Sequence, residues 1–150
     1  TPKPSSAASD VYKRQILNHP KYEDRNIIFC CSEEKVNFNF DSTLLQRALT
    51  NLVYNTVIHN APNTIIKVSI KDEEKIHIKI EDNGKGIREE ELKKLFERYY
   101  RGTNSTVNVK GSGLGMAIAK QIIEAHEGKI YVESKLKVGT SINIEFPKET

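Results

Sequence analysis

Apolar residues recur along this chain in two rhythms. Every second position is apolar from Thr64 to Lys71 (Ile66, Val68, Ile70) and again from Lys75 to Glu81 (Ile76, Ile78, Ile80), with Asp72-Glu73-Glu74 between them. Alternation of this kind predicts a half-buried antiparallel pair of strands. Ile27, Phe29 and Cys31, then Val36, Phe38 and Phe40, alternate on either side of Ser32-Glu33-Glu34-Lys35 and predict a β-hairpin. Two more strands are expected at Lys129 to Ser134 and Thr140 to Phe146, joined through Lys137-Val138-Gly139.

The second rhythm is helical. Leu44/Leu45, Ala48/Leu49, Leu52/Val53 and Thr56/Val57 recur every four residues, so an amphipathic helix is predicted from Asp41, a good N-cap, to a stop before Ala61-Pro62. A short helix is expected from Ile87 to Tyr99, with Leu92, Leu95, Phe96 and Tyr99 on one side. Another is expected from Gly113 to Ala125, with Leu114, Ala117, Ile118, Ile122 and Ala125 facing inward and Gly128 placed to end it. Helices and strands segregate, which predicts an α+β fold: a two-layer α/β sandwich in which three helices cover a mostly antiparallel sheet.

Composition narrows the class. With 150 residues, 37% of them hydrophobic and 29% charged, the chain suits one globular domain with a real core. Its 23 basic and 20 acidic residues are interspersed, giving a net charge of +3 without the basic stripe of a nucleic-acid binder. Cys30 and Cys31 are adjacent in an apolar run and have neither zinc nor useful disulfide spacing, which fits a reducing cytoplasm. No apolar run has the length of a membrane span, and no signal-peptide core is present, so a soluble cytoplasmic piece is expected.

Residues 1–15 are rich in Ser, Ala, Pro and Lys and read as a disordered tail. Within them, Asp10-Val11-Tyr12-Lys13-Arg14-Gln15 is similar to the conceptual translation of a transposon-end adapter used in DNA library preparation. On that reading the tail is a sequencing artefact and the native upstream part is missing; a natural flexible tail is the alternative. Residues 16–25 are expected to be a linker remnant and 26–150 the folded domain. His19, before Pro20 and without a following acid, belongs to the linker rather than to a phospho-acceptor site.

Three polar clusters interrupt these elements. Asp82-Asn83-Gly84-Lys85-Gly86 follows a strand directly, Gly111-Ser112-Gly113-Leu114-Gly115 opens a helix, and Asn51, Asn55 and His59 form an i, i+4 stripe beside the buried face of the first helix. Asparagines are unfavourable in helices because their side chains compete for backbone hydrogen bonds, so a pair of them is a signal. Between Tyr100 and Lys110 all periodicity vanishes, as in functional or mobile loops. Asn104-Ser105-Thr106 is a glycosylation sequon by pattern alone, and His77 falls on the polar phase of its strand. Position 116 is Met where a dinucleotide fingerprint needs a third glycine, and Gly84-Lys85-Gly86 lacks the lead and the Ser/Thr of a P-loop, which excludes the two commonest nucleotide motifs.

In this order, from about Asn26 to Pro147, the motifs resemble the ATP-binding catalytic domain of sensor histidine kinases, in the Bergerat-type superfamily shared with gyrase, the heat-shock chaperone and the mismatch-repair ATPase. The resemblance implies ATP and Mg²⁺ as ligands. Asn51-Leu52-Val53-Tyr54-Asn55 is similar to the N box, so Asn55 would give a side-chain oxygen to Mg²⁺, with Asn51 in support. Asp82 would accept a hydrogen bond from the adenine amino group, and Gly84 and Gly86 would let the backbone approach the nucleotide. Phe96-Glu97-Arg98-Tyr99-Tyr100-Arg101 resembles the F box, which makes Tyr100 to Lys110 the ATP lid and Arg101 a candidate for the γ-phosphate. Gly111, Gly113, Leu114 and Gly115 would turn N–H groups toward the phosphates with help from Lys110. Thr140, after Gly139, would lie near adenine.

The resemblance also implies a reaction: a protein histidine kinase that delivers the γ-phosphate to a histidine on a separate dimerisation domain, from which a response regulator receives it. No histidine of this chain has a helical acceptor context, so the piece alone is expected to bind ATP without autophosphorylating, with any membrane anchor upstream. The chain departs from the pattern at Ile58, where Lys or Arg usually reaches the phosphates; His59 beside it takes the place of the family's aromatic or His contact. ATP binding is therefore expected to persist, with Ile58 open to weakening it. Two alternatives stand beside this reading: another ATPase of the superfamily or an anti-sigma-type serine kinase, and a non-catalytic pseudokinase module.

Overall fold

The structure, a computed structural model, describes residues 4–5, 26–31, 38–39, 42–96 and 115–147. Its centre is a five-stranded sheet. Strands β4 (Ile65–Asp72) and β5 (Lys75–Asp82) form the expected antiparallel pair, with Val68 opposite Ile80 and Ile70 opposite Ile78. Strands β6 (Lys129–Lys135) and β7 (Gly139–Pro147) form a second hairpin, and β7 lies against β5.

The segment before them departs from expectation. Strand β2 (Asn26–Cys31) joins the free edge of β4 in parallel, which gives the sheet the order β2-β4-β5-β7-β6. The two-residue β3 (Phe38–Asn39) pairs instead with β1 (Pro4–Ser5) in a small separate sheet. Among the described residues there is therefore no hairpin pairing between 27–31 and 38–39. A parallel partner instead requires a long crossover, and helix α1 (Ser42–Ile58) lies between β2 and β4 in the chain.

Helices α1 and α3 (Gly115–Ala125) pack against each other and cover one face of the sheet. Leu45, Ala48, Leu49, Leu52, Val53 and Val57 of α1 are buried, as the four-residue rhythm predicts. In α3 Met116, Ala119, Ile122 and Ile123 are buried and Ile118 packs against the core, so Ile118 and Ile122 lie inward as expected, while Ala125 is exposed and the face extends to Met116, Ala119 and Ile123 instead. Met116, Ala119 and Ile123 share the i, i+3, i+7 spacing of a single face.

The α3 terminus also differs in detail. The left-handed residue is Glu127 (φ 63°), and the Gly128 N–H closes back on the Ile123 carbonyl at 2.9 Å, a Schellman arrangement. Gly128 is needed for space: a Cβ there would lie 2.6 Å from the Phe146 ring. Of the helix expected from Ile87 to Tyr99, one turn forms, α2 (Glu89–Leu92); Leu95 and Phe96 still pack on the core, and residues 97–99 lie outside the described residues. The opposite face of the sheet carries Lys67, Ser69, Lys79, His77 and Glu145 together with the exposed Ile28, Ile65 and Tyr131. His77 lies 3.6 Å from Glu145 there, near water as its strand phase predicts.

Candidate nucleotide site

The site begins where the inner face of the sheet changes chemistry. Successive rungs across β4, β5, β7 and β6 read Ile70-Ile78-Ile144-Ile130, then Val68-Ile80-Ile142-Val132, then Ile66-Asp82-Thr140-Ser134. Two aliphatic rungs give way to an acid and two hydroxyls on the same inward-facing phase. A polar group in that position needs partners, because an unmet hydrogen bond at a buried site costs about 1–3 kcal/mol.

Asp82 has them. Its Oδ1 accepts from the Gly84 N–H at 2.9 Å, and its carboxylate also accepts from the Thr140 N–H and the Asn60 amide. Partial burial nonetheless pushes its pKa above the usual carboxylate value, with those three hydrogen bonds pulling the other way. Asn60 is held from behind, since its Nδ2 donates to the Thr56 carbonyl at 2.8 Å. It comes so near Gly84 that a Cβ there would collide with the Asn60 amide oxygen. The end of α1 is thereby fastened to the turn after β5.

The rest of that turn is fixed by its neighbours. Asn83 continues the sheet without being a strand residue: its N–H reaches the Ile65 carbonyl at 3.3 Å and its Oδ1 accepts from the Ile65 N–H at 2.8 Å. Gly86 has φ +79° and faces the Lys135 carbonyl, and the Lys137 N–H donates to the Lys85 carbonyl at 2.8 Å. Gly139 has φ +146°, and a Cβ on it would run into the Asp82 carbonyl. The turn 83–86 and the β6–β7 tip therefore interlock backbone to backbone. Ser134 adds a side-chain node: its Oγ accepts from the Ile87 N–H at 2.8 Å and lies 2.8 Å from Thr140 Oγ1.

A cavity of about 520 Å³ opens between the end of α1 and this turn, with Ile58, His59, Asn60, Asn83, Gly84 and Lys85 among its walls. His59 is largely removed from water, which lowers its pKa; Lys85 lowers it further and Glu91 opposes. Burial and Lys85 both favour the uncharged imidazole, beside a cation. Ile58 does face this space, and Lys85 brings to it a positive charge from a different element.

Of the residues singled out in the sequence, Asp82, Gly84, Gly86 and Thr140 converge at this end of the sheet, and His59 shares the cavity with Gly84. Asn51 and Asn55 are half-buried on α1, two turns and one turn before His59, and are not among the walls of that cavity. Gly115 is the first residue of α3. Arg101, Lys110, Gly111, Gly113 and Leu114, together with the lid segment, lie outside the described residues. Two residues of the site, Asn60 and Ser134, escape the motif reading. Ser134 does leave a trace, as the polar interruption of the inward phase Ile130, Val132; Asn60, beyond the helix end, carries no periodic signal. Among the described residues, no group of three or more His, Cys, Asp or Glu side chains is placed to hold a metal ion by itself.

Comparison with known proteins identifies the family and the fold. Residues 40–150 match the model of the histidine kinase-, DNA gyrase B- and HSP90-like ATPase family. The chain is similar to the sensor histidine kinase YvrG of Bacillus subtilis, 44% identical over 133 residues, covering 87% of this chain and 23% of that protein. It is also similar to the sensor protein RprX of Bacteroides fragilis, 39% identical over 111 residues, 71% of this chain and 21% of the relative. The chain thus spans about a quarter of the curated relatives it matches. Among solved structures, a mycobacterial sensor histidine kinase, MprB, superposes with a TM-score of 0.81 at 25% identity, covering 98% of this chain and 97% of the other. The catalytic domain of histidine kinase ThkA gives 0.79 at 26% identity, covering 99% and 96%.

Proposed function

Since the chain belongs to the histidine kinase-, DNA gyrase B- and HSP90-like ATPase family, we propose that it is the ATP-binding catalytic domain of a two-component sensor histidine kinase, a protein histidine kinase within the transferases. The observation that carries this reading is the polar end rung, Asp82 beside Thr140, at the mouth of an otherwise aliphatic inner face. There a partly buried carboxylate, ringed by donors from the protein, would have acceptor capacity left for a ligand's own donor. An adenine amino group fits that description.

Phosphoryl transfer asks a protein chiefly for positioning and for neutralisation of charge. In this proposal Asp82 and Thr140 hold the base, Gly84 and Gly86 let the backbone come close, and His59 with Lys85 line the route toward the phosphates. Arg101, Lys110 and the Gly111 to Gly115 segment meet the phosphates themselves. Mg²⁺ would be held by the Asn55 amide oxygen, a hard donor of the kind this cation takes alongside waters. When bound it neutralises phosphate charge.

The proposed partners are the dimerisation and phosphoacceptor domain of the same kinase and a response-regulator receiver. One solved relative, ThkA, is a complex with the response regulator TrrA, superposing at a TM-score of 0.76 and 26% identity over 98% of this chain and 42% of the other. The proposed position is cytoplasmic, with any membrane anchor in another part of the protein. No helix among the described residues is long and apolar enough to cross a membrane.

Titrating Mg-ATP into wild type and Asp82→Ala tests the site. Binding by the first and its loss in the second is the expected result, and no binding by wild type at millimolar ATP removes the kinase reading. Adding a phosphoacceptor domain and testing the labelled product for acid lability separates transfer to histidine from transfer to serine.

A further inference from the structure

Ser134 makes more of its single hydroxyl than any role in the sheet requires. Its Oγ accepts from the Ile87 N–H at 2.8 Å, lies 3.1 Å from the Gly139 carbonyl as a donor, and lies 2.8 Å from Thr140 Oγ1. A hydroxyl carries one hydrogen and two acceptor lone pairs. With one lone pair taken by Ile87, two arrangements remain. Either Thr140 donates to Ser134 and Ser134 to Gly139, or Ser134 donates to Thr140 and frees the Thr140 hydrogen for a ligand.

Moving from the first to the second exchanges the longer Ser134–Gly139 contact for a bond from Thr140 to an incoming acceptor. In both, Thr140 Oγ1 stays tethered at 2.8 Å, the usual O–H···O separation, directly across the sheet from Asp82. Without Ser134, Thr140 would have its rotamer and its hydrogen to fix at the moment of binding.

We propose that Ser134 is a positioning residue for the nucleotide base: it holds the Thr140 hydroxyl in place and, by giving it a hydrogen bond, lets that hydroxyl donate to a ring nitrogen of a 6-aminopurine nucleotide whose amino group meets Asp82. Ile87, the residue after the Gly86 turn, fixes Ser134 in turn, so the glycine turn and the base pocket share one oxygen atom. This rests on the proposed function, in that Thr140 lies against the base.

The test is a double-mutant cycle read in the Kd for Mg-ATP, using Ser134→Ala, Thr140→Val and the pair. Ser134→Ala is expected to weaken binding roughly five- to tenfold, the size of one hydrogen bond. Added to Thr140→Val, it is expected to cost less than about twofold more, because Ser134 acts through that hydroxyl. Ser134→Thr is expected to restore affinity, and Ser134→Cys, which keeps the volume with a weak donor, to fall between. A purely structural role would weaken binding equally in both backgrounds and would follow the melting temperature of the free protein. Independent, multiplicative losses overturn the inference, as does wild-type affinity in Ser134→Ala. If wild type binds Mg-ATP and Asp82→Ala does not, while Ser134 proves neutral, only the inference falls; if wild type fails to bind, both fall.

Discussion

Replacing Gly139 by alanine strikes the interlock of the two turns. The residue has φ +146°, a region that L side chains avoid, at a cost of about 1–3 kcal/mol. The added Cβ would also meet the Asp82 carbonyl oxygen, with the Asp82 carbonyl carbon 3.0 Å and the Asn83 Cα 3.1 Å away. All three are backbone atoms, so relief requires the ends of β5 and β7 to part, losing at least one ladder hydrogen bond worth about 0.5–1.5 kcal/mol. Together these give a loss of roughly 2–4 kcal/mol, which for a chain of this size lowers the melting temperature by roughly 5–15 °C.

Gly84→Ala is the control. Its Cβ would meet the Asn60 amide, a side-chain tip that can swing aside without moving backbone but gives up its bonds to Asp82 and Thr56, so the loss is expected at about 1–2 kcal/mol, below that of Gly139→Ala. Its effect appears in nucleotide affinity, because the displaced amide leaves Asp82. Thermal and urea unfolding followed by circular dichroism measures both variants. A Gly139→Ala protein melting within about 2 °C of wild type, or a Gly84→Ala protein less stable than Gly139→Ala, refutes the account.

Asp82 takes up its proton at a higher pH than the usual 3.8, so affinity for ATP is expected to decline with acidification before an ordinary aspartate would titrate; a Kd unchanged down to pH 4 contradicts this. The same shift makes the folded chain hold more protons than the unfolded one between the two values, so this group's share of stability falls as pH rises through them. His59 works in the opposite sense: its folded pKa lies below the usual 6.5, so stability drops as pH falls through that value toward the lower one, and His59→Gln should flatten the slope in urea melts from pH 7 to 5. Ile123→Ala, at a site fully shielded from water between α3 and the core, is expected to cost about 2–5 kcal/mol in urea unfolding, and a cost under 1 kcal/mol would mean that α3 packs differently.

Much of the site is legible in the chain because strands report their own facing. The phase Ile76, Ile78, Ile80 continues without a break to Asp82, and Ile142, Ile144 leads back to Thr140, so alternation alone assigns both polar residues to the inner face. Other features depend on contacts between distant segments. Nothing local in Asn26 to Cys31 says that β4 rather than residues 36–40 will be its partner. The α3 stretch Met116 to Ala119 is apolar at every position, so more than one helical face satisfies the pattern, and packing on α1 decides. Gly128 reads locally as a helix cap, yet Glu127 takes the left-handed conformation and the Phe146 ring sets the requirement for glycine. Asn60 and Ser134 owe their roles to partners far along the chain, Asp82 for the first and Ile87 for the second.

The single-file order Ile76, Ile78, Ile80, Asp82 also guards the placement of Asp82 against misassembly. Were β5 to slip by one residue against β7, His77, Lys79 and Glu81 would turn beneath the helices and three isoleucines would turn to water, a penalty of several kcal/mol. The acid at the mouth is thus set in place by the greasy residues behind it. Any chain folded well enough to hide those isoleucines has, by the same act, aimed its carboxylate.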